Sequence, residues 1–213
     1  MLTRGLKDPF SAVSHLVGII LSIVGTVVLL LKSQYLPDRI SLAIFGVSLI
    51  CLYSASTIYH ALDVSEKVNL ILRKIDHAMI YVLIAGTYTP ICVMALTGAW
   101  SLSLLITIWV IAAAGIALTL LWFEAPRWLT TVIYVIMGWL VVVASIPLKQ
   151  TVGMAGLGWL LAGGILYTAG AVIYATKRPH ITFAMVGFHE IFHVFVLGGS
   201  LCHYILMLEY LPY

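Results

Sequence analysis

Charge is what this sequence has least of. Of its 213 residues only 9% are Asp, Glu, Lys or Arg, against 62% hydrophobic, where a soluble domain carries about 25% charged residues. The mean hydropathy is +1.11. That shortage excludes a water-soluble globular domain. It predicts a polytopic membrane protein with no soluble portion left once the apolar segments are counted. No basic run is interleaved with aromatics and the net charge is only +3, so no nucleic-acid partner is expected. Cysteine is scarce. Cys51, Cys92 and Cys202 lie in apolar stretches and form no C-x-x-C pair, which reads as buried free thiols rather than a disulfide or metal framework. Lysine is absent from residues 179–213, so the last helix has no Schiff-base residue and no retinal is expected.

Long apolar runs are what remains. The opening MLTRGLKDPF is too short for a domain. The uncharged stretch from Pro9 to Leu31 exceeds the roughly 7–15 residues of a signal-peptide core and reads as a retained spanning helix. A bilayer core of about 30 Å needs roughly 20 apolar residues per helix. Runs of that size predict seven transmembrane helices in one all-α domain covering 1–213, near 10–31, 40–62, 75–96, 101–122, 127–147, 154–176 and 183–207. Gly98, inside T-G-A-W-S, marks the turn between the third and fourth, and Pro126 opens the fifth.

Lysine and arginine set the direction. With the N-terminus inside, the cytoplasmic segments hold Arg4, Lys7, Lys67, Arg73, Lys74, Arg127, Lys177 and Arg178, and the outer segments only Lys32, Arg39 and Lys149. The bias predicts a cytoplasmic N-terminus and an outside C-terminus. That orientation is opposite to a G-protein-coupled receptor.

Polar groups at membrane depth are costly and by default functional. The second helix ends S-A-S-T-I-Y-H, with Ser56 and His60 four apart. The third opens K-I-D-H, with Asp76 and His77, and the seventh carries F-H-E-I-F-H at 188–193. In the expected topology all of these fall near the cytoplasmic face. Residues four apart share a helix face, so His189 and His193 point together and can bind one metal. A third histidine from another helix would complete a zinc site that keeps its fourth position for water, whose pKa falls to about 7. Asp76 or Ser56 would hold that water or orient a ligand. Within H-E-x-x-H, Glu190 is either a general base, as in zinc peptidases, or the partner of a basic or hydroxyl group on another helix. His15 lies at the right depth to support the site. His203 lies towards the other face and reads as an interfacial or packing residue, and His180 reads as a solvated loop residue.

These stretches also carry a likeness. S-A-S-T-I-Y-H, K-I-D-H-A-M-I-Y-V-L-I-A-G-T-Y-T-P and F-H-E-I-F-H-V-F-V resemble the bacterial hemolysin III proteins, which belong with the progestin and adipoQ receptors. The likeness covers essentially the whole chain. It implies seven transmembrane helices, a cytoplasmic N-terminus and a zinc ion near the cytoplasmic face. By residue, it implies His60, His189 and His193 as zinc ligands, with Asp76 and Ser56 facing the bound water. The arrangement is similar to that of the alkaline ceramidases, and the adiponectin receptors are linked to ceramide hydrolysis. Those receptors have glutamine where this chain has Glu190, which argues against an essential base there. The chain departs from the pattern at D-P-F-S-A-V-S-H: bacterial relatives usually have glutamate where Asp8 stands. The receptors' long N-terminal domain is absent, so no hormone partner is implied.

Three functions compete. The first is a zinc-dependent hydrolase of a lipid amide or ester, with Asp76 as base and then proton donor. The second is a sensor of membrane state with structural zinc, in which Asp76 would be a fourth ligand. The third is a hemolysin-type pore, which would need polar residues through the whole bilayer, whereas here they cluster at one face. The expected partner is a membrane lipid, and the expected location a bacterial plasma membrane.

Overall fold

A computed structural model describes residues 6–122, 125–179 and 187–213. Among these residues the chain is helical throughout, with no strand. Helix α1 spans Pro9–Lys32, α2 Leu36–Ala61, α3 Glu66–Pro90, α4 Gly98–Leu121, α5 Arg127–Trp139, α6 Ser145–Thr176 and α7 Phe188–Tyr210. Pro90 removes one backbone donor, and α3 runs on as a π turn over Ile91–Ala95. The Ser101 hydroxyl donates to the Cys92 carbonyl of this π turn at 2.6 Å. A 3₁₀ turn over Leu140–Ala144 joins α5 to α6.

By length and composition six helical segments can cross a membrane. One of them is the unbroken run Arg127–Thr176, 50 residues long. Straight, it would measure about 75 Å, over twice the bilayer core. It is not straight. Gly153 sits at φ 69°, ψ −177°, a backbone region essentially reserved for glycine. Beyond it the chain returns. The Trp139 indole N–H donates to the Thr168 hydroxyl at 2.8 Å across 29 residues, which a straight helix would hold about 44 Å apart. The run is therefore a helical hairpin, and its bend falls between the segments 127–147 and 154–176 that the sequence separates.

The largest boundary difference from the sequence reading is in α3. Helix α3 starts at Glu66 and not near 75. Its first turns are half polar, with exposed Val68 and Ile71, so the apolar run alone understates it. Helix α7 is described from Phe188. The expected start at 183, and the loop position of His180, lie outside the described residues.

The helices pack in a ring, α1 against α2, α2 against α3, α3 against α5, α5 against α6, α6 against α7 and α7 back against α1. Helix α4 packs on the outside, against α3 and α5. The surface is inverted relative to a soluble protein. Leu31, Leu121 and Ile146 stand exposed, while Ser11, Ser48, Ser56, His60, Asp76 and His193 are buried. With no water in a hydrocarbon core, polar groups find partners inside the bundle.

A candidate metal centre at one end of the bundle

His60 occupies the last turn of α2. His189 and His193 occupy the first two turns of α7, and their four-residue spacing puts both rings on one face. The ring closes α7 onto α1 and brings this face to the end of α2. His60 Nε2 lies 3.1 Å from His189 Nε2, and His193 Nε2 lies 3.2 Å from the same atom. One ligand nitrogen from each falls within 4.8 Å of the others. His60 and His193 are only 2% and 1% exposed.

A neutral imidazole offers one donor and one acceptor. His60 Nδ1 is 2.8 Å from Asp8 Oδ2, and an ionised carboxylate only accepts. The Nδ1 proton is thereby fixed, and His60 Nε2 turns a bare lone pair to the cluster. His189 Nε2 faces two other ring nitrogens, and a single N–H cannot serve both. Three converging imidazole nitrogens are left short of protons, which is the donor set a cation satisfies. The residues present therefore fit a metal ion.

Further groups surround the three rings. The His15 ring stacks on His193, centroids 3.9 Å apart and planes at 24°, and meets Tyr53 edge-on. Both His15 nitrogens are buried without a hydrogen-bond partner among the described residues. Asp76 is buried in the third turn of α3, its Oδ2 3.4 Å from His77 Nδ1. His77 Nε2 meets the Tyr174 hydroxyl at 2.9 Å, and the Tyr134 hydroxyl donates to the His77 carbonyl at 3.0 Å, tying α3 to α5 and α6. Ser56, one turn before His60, is 2% exposed. Glu190 turns elsewhere. Its Oε2 accepts the Gly187 N–H at 2.8 Å and its Oε1 the Ser11 hydroxyl at 3.3 Å, so it caps α7 and links it to α1.

A cavity of about 140 Å³ runs from this end into the bundle. Asp76, Ser56, His15, His189 and His193 line its head, and Leu83, Ile91, Val141, Leu160 and Val196 line its body. No residue of α4 lines it. His203 also lines the cavity, ten residues or about 15 Å along α7 from His193. There the His203 Nε2–H donates to the Leu160 carbonyl at 3.2 Å, so His203 is a buried packing residue.

Sequence reasoning named His60, His189, His193, Ser56 and Asp76, and all five are at this end of the bundle. It missed Asp8 as the partner of His60, and Tyr134 and Tyr174 as partners of His77. D-P at a helix start signals an N-cap followed by Pro at the first position, which hides any longer reach. No spacing rule joins residues 52 apart.

Comparison with known proteins identifies the family. A family model described as haemolysin-III related matches residues 4–204. The chain is 39% identical over 203 residues to a hemolysin-3 homolog of Bacillus subtilis (strain 168), covering 94% of this chain and 92% of that protein. It is 35% identical over 213 residues to hemolysin-3 of Bacillus cereus, covering 98% and 94%. A more distant similarity, 27% over 202 residues, reaches the human monocyte to macrophage differentiation factor, covering 93% and 82%. The apolar helices and the Bacillus relatives mark a multi-pass cell-membrane protein of bacterial type. The chain belongs to the haemolysin III family.

Proposed function

We propose that this protein is a zinc-dependent hydrolase of a membrane-lipid amide or ester. The reading places seven crossings in the bilayer, with the N-terminus and the metal centre at the cytoplasmic side and the C-terminus outside. The Gly153 hairpin supports it, because it divides the 50-residue run into two limbs. The Lys and Arg bias supports the direction.

The observation that carries the chemistry is the convergence of three imidazoles beside an apolar cavity whose head His189 and His193 line. Imidazole nitrogens suit zinc. Bound there by His60, His189 and His193, zinc would supply Lewis acidity and lower the pKa of a coordinated water. The cavity body accepts an apolar chain and directs the lipid's linkage to the polar head. Asp76 and Ser56 stand at that head. Asp76 takes a proton from the attacking water as oxygen adds to the carbonyl carbon. It returns that proton to the leaving nitrogen or oxygen as the carbon–heteroatom bond breaks. The products are a fatty carboxylate and an amine or alcohol, and no oxidant or reductant is required. A conducting pore is disfavoured, because the cavity body is apolar.

The test is metal content by mass spectrometry on detergent-purified protein, beside fatty-acid release from lipid amides and esters. One zinc per chain, lost in His60→Ala, His189→Ala and His193→Ala, is the expected result. Asp76→Asn should keep the zinc and lose the hydrolysis. Zinc lost with Asp76→Asn would instead make Asp76 a fourth ligand and the site structural. Wild type without zinc after supplementation overturns the reading.

A further inference from the structure

The residue that orients the centre comes from outside the three ligands and outside H-E-x-x-H. We infer that Asp8 is a positioning residue for the metal: its carboxylate fixes the ring and tautomer of His60 so that Nε2 is the ligating atom. The inference rests on the zinc reading above and adds a residue to it.

Four observations carry it. The contact is short and direct, His60 Nδ1 to Asp8 Oδ2 at 2.8 Å. The backbones are laced at the same place, with the Asp8 N–H donating to the His60 carbonyl at 2.9 Å and the Lys7 N–H to the Ala61 carbonyl at 3.4 Å. This lacing sets the start of α1 against the end of α2 and fixes the distance the carboxylate spans. Asp8 is also the residue before α1, with Pro9 at the first helical position. An aspartate there ordinarily turns its side chain back to cap its own helix. Here it makes no side-chain cap bond and is committed to His60 instead. Finally, the two partners differ in exposure. The His60 side chain is 3% exposed and that of Asp8 40%. The carboxylate keeps part of its hydration, so it carries its charge without the cost of full burial, while the imidazole it holds is sealed inside.

The chemical consequence is specific. A histidine that ligates through one nitrogen nearly always donates the other N–H to a carboxylate, carbonyl or water, and a carboxylate also raises the basicity of the ligating nitrogen. His193 has the Ser11 backbone nearby and no carboxylate partner among the described residues. Of the three ligands His60 is the one held by a carboxylate, and Asp8 supplies it. Loss of such an outer partner typically costs 10–100-fold in metal affinity.

The experiment measures zinc affinity by chelator competition on detergent-purified wild type, Asp8→Ala, Asp8→Asn and Asp8→Glu, with thermal unfolding of the zinc-free forms alongside. Asp8→Ala should bind zinc about 10–100-fold more weakly while its zinc-free unfolding stays near that of wild type. Asp8→Asn, of the same size, should fold and lose less, since its amide oxygen still accepts the Nδ1 proton but bears no charge. Asp8→Glu should recover most of the affinity. A role confined to folding would do the reverse, lowering zinc-free stability with zinc affinity unchanged, and would overturn the inference. Asp8→Ala and Asp8→Asn both binding zinc like wild type would overturn it as well, with the metal centre left standing. Wild type that binds no zinc removes the centre itself, and the inference with it.

Discussion

The carboxylate of Glu190 accepts the N–H of Gly187, three residues earlier and just before α7, at 2.8 Å. This is half of a capping arrangement that satisfies one of the orphan donors at a helix start. The other oxygen takes the Ser11 hydroxyl. Both oxygens are thus engaged, although the residue sits inside an H-E-x-x-H pattern that elsewhere supplies a general base. Glu190→Gln keeps an acceptor for the Gly187 N–H. It should leave zinc stoichiometry intact and any lipid hydrolysis within a few-fold of wild type. Glu190→Ala should lower the unfolding temperature by an amount equivalent to roughly 1 kcal/mol, the usual worth of a helix cap. A loss of about 100-fold or more in rate for Glu190→Gln, the scale of a missing general base, would contradict the capping role.

Gly153 holds its conformation without any steric demand from neighbours, since nothing lies within 4 Å of where a Cβ would stand. A substitution there costs backbone strain alone. Gly153→Ala should destabilise by roughly 1–3 kcal/mol, readable as a lower midpoint in thermal unfolding in detergent. Gly158→Ala is the matched control, with the same open surroundings and an ordinary helical backbone, and should be neutral or slightly stabilising.

Ala171 lines the cavity between the polar head and the Leu160 end. Ala171→Phe should fill the space an apolar chain needs. Zinc content should stay at the wild-type value while fatty-acid release from lipid falls. Equal loss of zinc and turnover would show that the bundle had rearranged and the cavity was not simply plugged.

The proposed direction puts the two termini on opposite faces. A reporter that functions only outside the cell should be active when fused after Tyr213 and silent when fused before Met1. Activity at both ends, or at neither, would mean an even number of crossings.

Local periodicity made part of this legible in advance. His189 and His193 declare a shared face by their spacing alone, as do Ser56 and His60. The Lys and Arg bias then put both pairs at one level. What periodicity could not reach were the contacts that join distant segments. Asp8 meets His60 across 52 residues and His77 meets Tyr174 across 97, and only the packing of the ring decides them. The extent of α3 was hidden because its first turns are polar enough to read as loop. The bend at Gly153 was legible only as a gap between two apolar runs, since an apolar stretch does not itself announce where a chain doubles back.

His60 and His189 stand 129 residues apart in the chain, so α2 is made long before α7. The three-histidine cluster therefore forms only once α7 has been made and docks between α1 and α6. A chain stalled before that point carries His60 without the two histidines that face it. A ligand held there would latch α2 to α7, joining segments that local sequence leaves unconnected.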